Sequence, residues 1–145
     1  MKTILFYLSF FFALGVFGQS DTYFSTKDGA IKGYDPVAYF SESKPVKGDK
    51  AIATEWMGVT WYFATEENQK LFETNPERYA PQYGGYCAYG VAKGGLYKIE
   101  PEAWKIVDDK LYLNYSLKIQ RDWAEDIPGY IDQADDNWPG LAKNK

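Results

Sequence analysis

The chain has 145 residues and no histidine. Histidine is the common side chain for proton transfer near neutral pH, and it is a frequent ligand of zinc, copper and haem iron. Catalysis that depends on imidazole and histidine-ligated metal sites are therefore excluded. Any chemistry must use a thiol, carboxylates, lysines or tyrosines.

Cysteine is almost as scarce, because Cys87 is the only one. A single thiol cannot form a disulfide within the chain, so stability must come from an apolar core. Five Trp, nine Phe and thirteen Tyr supply the large side chains for that core. The formal net charge is −4 and no basic cluster is present, which gives no support for nucleic-acid binding.

The N-terminus has the pattern of a secretory signal peptide in residues 1–18. Lys2 supplies the positive charge, residues 4–17 form an apolar run, and cleavage is expected between Gly18 and Gln19. The run is shorter than the ~20 residues that span a bilayer as a helix. We expect export to the periplasm or the medium, with no membrane contact after cleavage. An uncleaved anchor is the alternative.

The rest of the chain is predicted to form one domain. Residues 19–32 read as a flexible lead-in, and residues 33–145 as a single domain with a C-terminal helical extension. Two β-hairpins are predicted, 51–56 with 59–63 around Met57-Gly58, and 102–107 with 110–115 around Asp108-Asp109.

Several short helices separate the hairpins. Thr65 and Ser116 are predicted N-caps, and residues 83–92 read as a short helix between glycine pairs. A break is predicted at 127–129, followed by a helix that ends at Pro139-Gly140. Separate hairpins and helices indicate the α+β class.

The stretch 79–90 holds the only cysteine and is the best candidate site. Near a helix start, the positive end of the helix dipole would lower the pKa of Cys87 and make the thiol nucleophilic. The alternative is a small buried apolar residue, which is common for free cysteine. With no histidine as its base, the thiol is a weak candidate for catalysis.

Tyrosines surround the cysteine. Tyr86 and Tyr89 are three residues apart and would share one face of a helix. With Tyr83, Trp61 and Trp104 they would line an aromatic pocket for a small ligand. The competing interpretation is core packing with the hydroxyl groups at the rim.

Three segments together resemble the YHS domain family. They are 33–40 (GYDPVAYF), 58–68 (GVTWYFATEEN) and 71–79 (LFETNPERY). The resemblance implies a small YHS-type fold and covers roughly residues 30–90. Many YHS domains occur in heavy-metal transport proteins, with cysteines at positions that here hold Ala38, Ala64 and Asn68. The resemblance therefore implies the scaffold without its thiolate metal site.

Asp126 to Tyr130 and Asn137 to Pro139 resemble the extension of exported, stand-alone family members. Most of those proteins are described only as YHS domain-containing proteins of unknown role.

We therefore predict an exported, non-enzymatic module that binds a small ligand or a protein partner. No catalytic residue and no cofactor is assigned. The candidate ligand-binding residues are Asp35, Trp61, Tyr83, Tyr86, Cys87 and Tyr89. Two alternatives stay open: a metal or haem carrier that uses Cys87 with tyrosine or carboxylate oxygens, and a thiol-dependent redox protein.

Overall fold

The structure, a computed structural model, describes residues 23–145. The predicted signal peptide therefore lies outside the described residues. Within residues 23–145, six strands form three two-stranded antiparallel sheets: β1 (Ser25–Thr26) with β2 (Gly29–Ala30), β3 (Asp49–Trp56) with β4 (Val59–Phe63), and β5 (Glu100–Val107) with β6 (Lys110–Asn114). The same residues form six α-helices: α1 (Ala38–Ser41), α2 (Glu66–Thr74), α3 (Pro76–Tyr79), α4 (Ala88–Ala92), α5 (Leu117–Ala124) and α6 (Ile127–Lys143). Over this range, no helix combines the length and the apolar character that crossing a membrane would need.

The two long hairpins turn at the predicted dipeptides. Met57 and Gly58 have φ angles of 53° and 76°, and Asp108 and Asp109 have 50° and 60°. Positive φ at both central residues is the mark of the type I′ turn, whose twist matches that of the paired strands. Glycine adopts this conformation without strain, and aspartate tolerates it. The predicted α+β class, with two β-hairpins and several short helices, is confirmed.

Two helices begin at the predicted caps. Thr65 Oγ1 accepts a hydrogen bond from Asn68 N at 3.1 Å, and Ser116 Oγ accepts one from Ile119 N at 3.1 Å. Each cap satisfies an N–H group that has no partner inside its own helix. The caps therefore set where α2 and α5 start.

The sequence predicts one helix over 83–92, and this is wrong. A 3₁₀ turn covers Tyr83–Gly85, and α4 begins only at Ala88. Tyr83 and Gly84 have φ angles of 55° and 60°, which lie outside the α-helical range. Tyr86 is extended, with φ −79° and ψ 164°. Tyr86 therefore precedes the helix and does not share a helix face with Tyr89.

The C-terminal helix is also longer than its prolines predict, since it begins at Ile127 and runs past Pro139 to Lys143. Pro128 lies in the first turn, where the missing N–H would have no helical partner. Asp126 caps the same turn by accepting a hydrogen bond from Gly129 N at 3.1 Å. Pro139 removes one hydrogen bond inside the helix but does not end it.

The prediction of a flexible lead-in differs from the structure over residues 23–32, the part of the lead-in that the structure describes. Strands β1 and β2 pair in this segment, and Ala30 and Ile31 after the turn are only 1% and 2% exposed. Phe24 N donates a hydrogen bond to Gly84 O at 2.7 Å. Core contacts therefore hold this part of the chain.

Two apolar clusters form the core. The first contains Trp61, Phe63 and Phe72, with the ring centroids of Trp61 and Phe72 4.9 Å apart. The second lies among α4, β6, α5 and α6 and contains Trp123. Strand β6 serves both clusters, because Leu111 and Leu113 pack in the first and Tyr112 in the second. Successive side chains of a strand point to opposite faces, so one strand can join two cores.

Asp35 is a fully buried carboxylate at the edge of the first cluster. Its Oδ1 accepts hydrogen bonds from Val37 N at 2.8 Å and Ala38 N at 3.3 Å. Its Oδ2 accepts from Ala64 N and Asn68 Nδ2, both at 2.8 Å. The carboxylate thus ties the start of α1 to the junction between β4 and α2.

We expect Asp35→Ala to lower the free energy of unfolding by about 3–5 kcal/mol, because four donors lose their acceptor inside the protein. Urea denaturation followed by tryptophan fluorescence measures the change. Asp136→Ala, on an exposed part of α6, is the control and should stay within about 0.5 kcal/mol of the unchanged protein. A loss below about 1 kcal/mol for Asp35→Ala would contradict the role of the carboxylate.

Candidate functional site

A cleft of about 390 Å³ opens at the start of α4. Its walls come from α4, the loop before β5, the end of β6 and α5, and its lining residues are Cys87, Tyr89, Gly90, Lys93, Tyr97, Tyr115 and Ile119. Three tyrosine rings and an isoleucine make the lining largely apolar. Its volume lies within the range of small-ligand sites, ~300–1,000 Å³, and an apolar lining is typical of them.

Cys87 lies in the wall of this cleft and caps α4. The thiol is 1% exposed, and its Sγ accepts hydrogen bonds from Gly90 N at 3.4 Å and Tyr115 N at 3.2 Å. Burial raises the pKa of the Cys87 thiol, and the backbone N–H groups offset this rise in part. The structure therefore agrees with the buried interpretation of Cys87 and not with an acidic nucleophile.

Asn114, the last residue of β6, joins that strand to α4. Its Oδ1 accepts hydrogen bonds from Tyr89 N at 3.0 Å and from the thiol of Cys87 at 3.5 Å. The side chain is buried, and its Nδ2 has no hydrogen-bond partner among the described residues. This contact places the Tyr89 and Tyr115 walls of the cleft beside each other.

Two glycines position the ring of Tyr97. A Cβ atom at Gly90 or at Gly95 would lie 2.5 Å from a ring carbon of Tyr97, which is too short for a contact between non-bonded carbon atoms. Cys87 N also donates a hydrogen bond to Tyr97 O at 3.0 Å. Tyr97 is 53% exposed, yet the close approach to two glycines and this hydrogen bond hold it over the cleft.

The structure brings only two of the six predicted site residues, Cys87 and Tyr89, into this cleft. Tyr86 packs against Phe24, with the ring centroids 5.5 Å apart, and lines none of the cavities described here. Tyr83 is 6% exposed and donates its hydroxyl hydrogen to Asp135 Oδ1 at 2.8 Å. Burial and this hydrogen bond raise the pKa of Tyr83 well above its usual value.

Asp35 and Trp61 lie elsewhere, in or beside the first core cluster. Trp61 is 1% exposed and donates its indole N–H to Trp56 O at 3.0 Å. Both residues have contacts that explain their burial without a ligand. The prediction that they bind one stays a prediction.

Larger cavities lie elsewhere in the described part of the chain. One of about 610 Å³ includes Trp104 together with the charged Arg78, Lys105 and Asp109. Another of about 410 Å³ includes Tyr83 and Trp138. We take the smaller cleft as the candidate site, because its lining combines several aromatic rings with a single charge.

Sequence reasoning did not find Lys93, Tyr97, Tyr115 or Ile119 as lining residues. One signal was present for Tyr115, which alternates with Leu111 and Leu113 along the predicted strand. Tyr97 follows Gly94-Gly95, a pair that marks a place where another group can approach the backbone closely. Ile119 has no local signal of this kind, because α5 reaches the cleft only through tertiary packing.

The three positions at which the family resemblance implies cysteines lie around the carboxylate of Asp35. Ala38 N, Ala64 N and Asn68 Nδ2 all donate hydrogen bonds to the carboxylate of Asp35. Two of these side chains are methyl groups, and the third is an amide that presents its N–H to Asp35. Over residues 23–145, no group of three or more cysteine or acidic side chains is arranged to hold a metal ion.

We expect native Cys87 to react with iodoacetamide about a hundredfold more slowly than the same protein unfolded in urea, because only the exposed thiolate attacks. The rate in the unfolded chain should level off above the ordinary thiol pKa of about 8.5. The native rate should keep rising beyond that pH, since burial raises the pKa. Equal rates in the two states at every pH would contradict this description of the thiol.

Comparison with known proteins adds a family but no characterised relative. Residues 37–83 match the family model of the YHS domain. Neither the curated proteins nor the solved structures give a match. The matched range includes α1, the β3–β4 hairpin, α2 and α3, but none of the residues that line the cleft. The chain therefore contains a YHS domain, and residues 37–83 are the part of it that carries the family's pattern.

Proposed function

We propose that the protein is an exported, non-enzymatic module that binds a small ligand in the cleft beside Cys87. The observation that carries the proposal is the lining itself, in which Tyr89, Tyr97, Tyr115 and Ile119 leave apolar surface exposed to water. Covering such surface with a ligand is favourable by roughly 25 cal/mol per Å² buried. Tyr97 and Tyr115 are 53% and 40% exposed, so their rings are available for this contact.

The state of Cys87 supports binding rather than redox chemistry. Attack by a thiol requires the thiolate and access to the solvent. Cys87 is 1% exposed, and burial raises the pKa of its thiol. The thiol donates a hydrogen bond to Asn114 Oδ1. The thiol thus caps α4 and fills space in the wall of the cleft.

Binding can be tested with N-phenyl-1-naphthylamine, a neutral apolar probe whose fluorescence rises when it leaves water. We expect one saturable site per chain. Tyr115→Ala, which removes one wall, should raise the Kd of the probe about fivefold to tenfold, since an aromatic contact contributes ~1 kcal/mol beyond its buried area.

Leu71→Ala is the matched control, because Leu71 lies on α2, away from the cleft, and is 41% exposed, close to the 40% of Tyr115. It should leave the Kd unchanged. Equal weakening by both substitutions, or the absence of saturable binding, would contradict the proposed function.

Export is the second part of the proposal and is supported by residues 1–18. Their positive start, apolar run and small residue at position 18 are the features that secretion systems recognise. Because the chain has one cysteine, its folding after export does not depend on forming an internal disulfide.

We expect the full chain, expressed in a bacterial host, to appear in the exported fraction with a mass that starts at Gln19. Leu8→Arg should keep it uncleaved inside the cell, because a charge interrupts the apolar run. Mass spectrometry of both fractions makes the comparison. If the unchanged chain and Leu8→Arg both stay uncleaved in the cytoplasm, export is contradicted.

A further inference from the structure

We propose that the ligand of the cleft is a planar apolar anion, such as an aromatic carboxylate. This inference rests on the proposed function, because it names the ligand class for the same cleft. Lys93 carries it, as the one charged residue among those that line the cleft.

The ammonium group of Lys93 is held in place by two aromatic rings. Its Nζ lies 5.3 Å from the ring centroid of Tyr89 and 5.1 Å from that of Tyr130. The faces of aromatic rings attract cations, and two faces together restrict where a flexible lysine places its charge. The cleft therefore has a positive charge in a defined position beside Tyr89.

Lys93 has no carboxylate partner in the described part of the chain. None of the ion pairs among residues 23–145 includes it. Lys98, which stacks on Tyr115 at the same cleft, differs in this respect because its Nζ lies 3.6 Å from Glu100 Oε1. Glu100 is also bound to Lys32 at 3.0 Å. Lys98 thus shares one carboxylate with Lys32, whereas Lys93 has no carboxylate within ion-pair distance among the described residues.

An anionic ligand would complete this arrangement. Its charged group would pair with Lys93 while its apolar part covers the tyrosine rings, and an ion pair beside apolar surface is stronger than one in open water. The chain has a net charge of −4, so the protein as a whole does not attract anions. Affinity for an anion must therefore come from the local contact with Lys93.

The walls favour a flat ligand. Tyr89, Tyr97 and Tyr115 present rings, and ring-to-ring contacts in offset or edge-to-face geometry contribute ~0.5–1.5 kcal/mol beyond buried area. The volume of about 390 Å³ limits the ligand to a small molecule. Charge and shape together select an aromatic anion over a neutral or positively charged compound.

Two probes that differ by one sulfonate group separate the charge from the apolar contact. They are 8-anilinonaphthalene-1-sulfonate, an anion, and the neutral N-phenyl-1-naphthylamine. We expect the anionic probe to bind more tightly than the neutral one. Added NaCl should weaken the binding of the anionic probe only, because salt screens the ion pair.

Lys93→Gln should raise the Kd of the anionic probe about threefold to tenfold and leave that of the neutral probe within about twofold. Lys93→Arg should retain the preference for the anion. Lys70→Gln, an exposed lysine on α2, is the matched control and should change neither Kd.

The outcomes distinguish the two proposals. Equal affinity for both probes with no effect of Lys93→Gln would overturn the anion inference, while neutral-probe binding that depends on Tyr115 would keep the proposed function. If neither Lys93→Gln nor Tyr115→Ala changes the Kd of the anionic probe, the probe binds outside the cleft. That result would overturn both the anion inference and the proposed function. No binding of the neutral probe would overturn the proposed function itself.

Discussion

The buried carboxylate of Asp35 is the interaction on which the arrangement of the YHS domain depends. A carboxylate removed from water costs several kcal/mol unless donors surround it, so the chain can bury it only where enough N–H groups converge. Val37 and Ala38 supply two of them from the adjacent turn. Ala64 and Asn68 supply the others from the junction of β4 and α2. Satisfying one charge therefore fixes how two segments that are distant in sequence meet.

A second polar contact has a similar role on the other side of the molecule. The amide of Asn114 and the thiol of Cys87 join the end of β6 to the start of α4. Both side chains are almost fully buried, so neither group can exchange this contact for water. The cleft is a consequence of the contact, because it places Tyr115 beside Tyr89. The only cysteine is thus important for the position of the cleft walls, and its reactivity is not required for that role.

The family scaffold and the candidate site occupy different parts of the chain. Residues 37–83 match the YHS domain, whereas the cleft is lined by residues from Cys87 to Ile119. At the three positions where the family resemblance implies cysteines, this chain has two alanines and an asparagine around Asp35. Ala38 and Ala64 donate to Asp35 through their backbone N–H groups, and Asn68 is the one of the three that donates through its side chain. The proposed function rests on the second part of the chain, and the family match supplies the framework that this part packs against.

Local sequence patterns were enough to predict the features that depend on a few neighbouring residues. The Met57-Gly58 and Asp108-Asp109 turns and the caps at Thr65 and Ser116 involve contacts within about four residues, so local patterns predict them. That Tyr89 reaches the cleft and Tyr86 does not became visible only in the fold, because Tyr86 is extended after the 3₁₀ turn Tyr83–Gly85 and helix α4 starts only at Ala88. The approach of Ile119 to the cleft and the contact of Lys93 with Tyr130 also come from packing between distant segments. Such contacts leave no periodic signal in the sequence, because the residues that make them are brought together only when the two core clusters form.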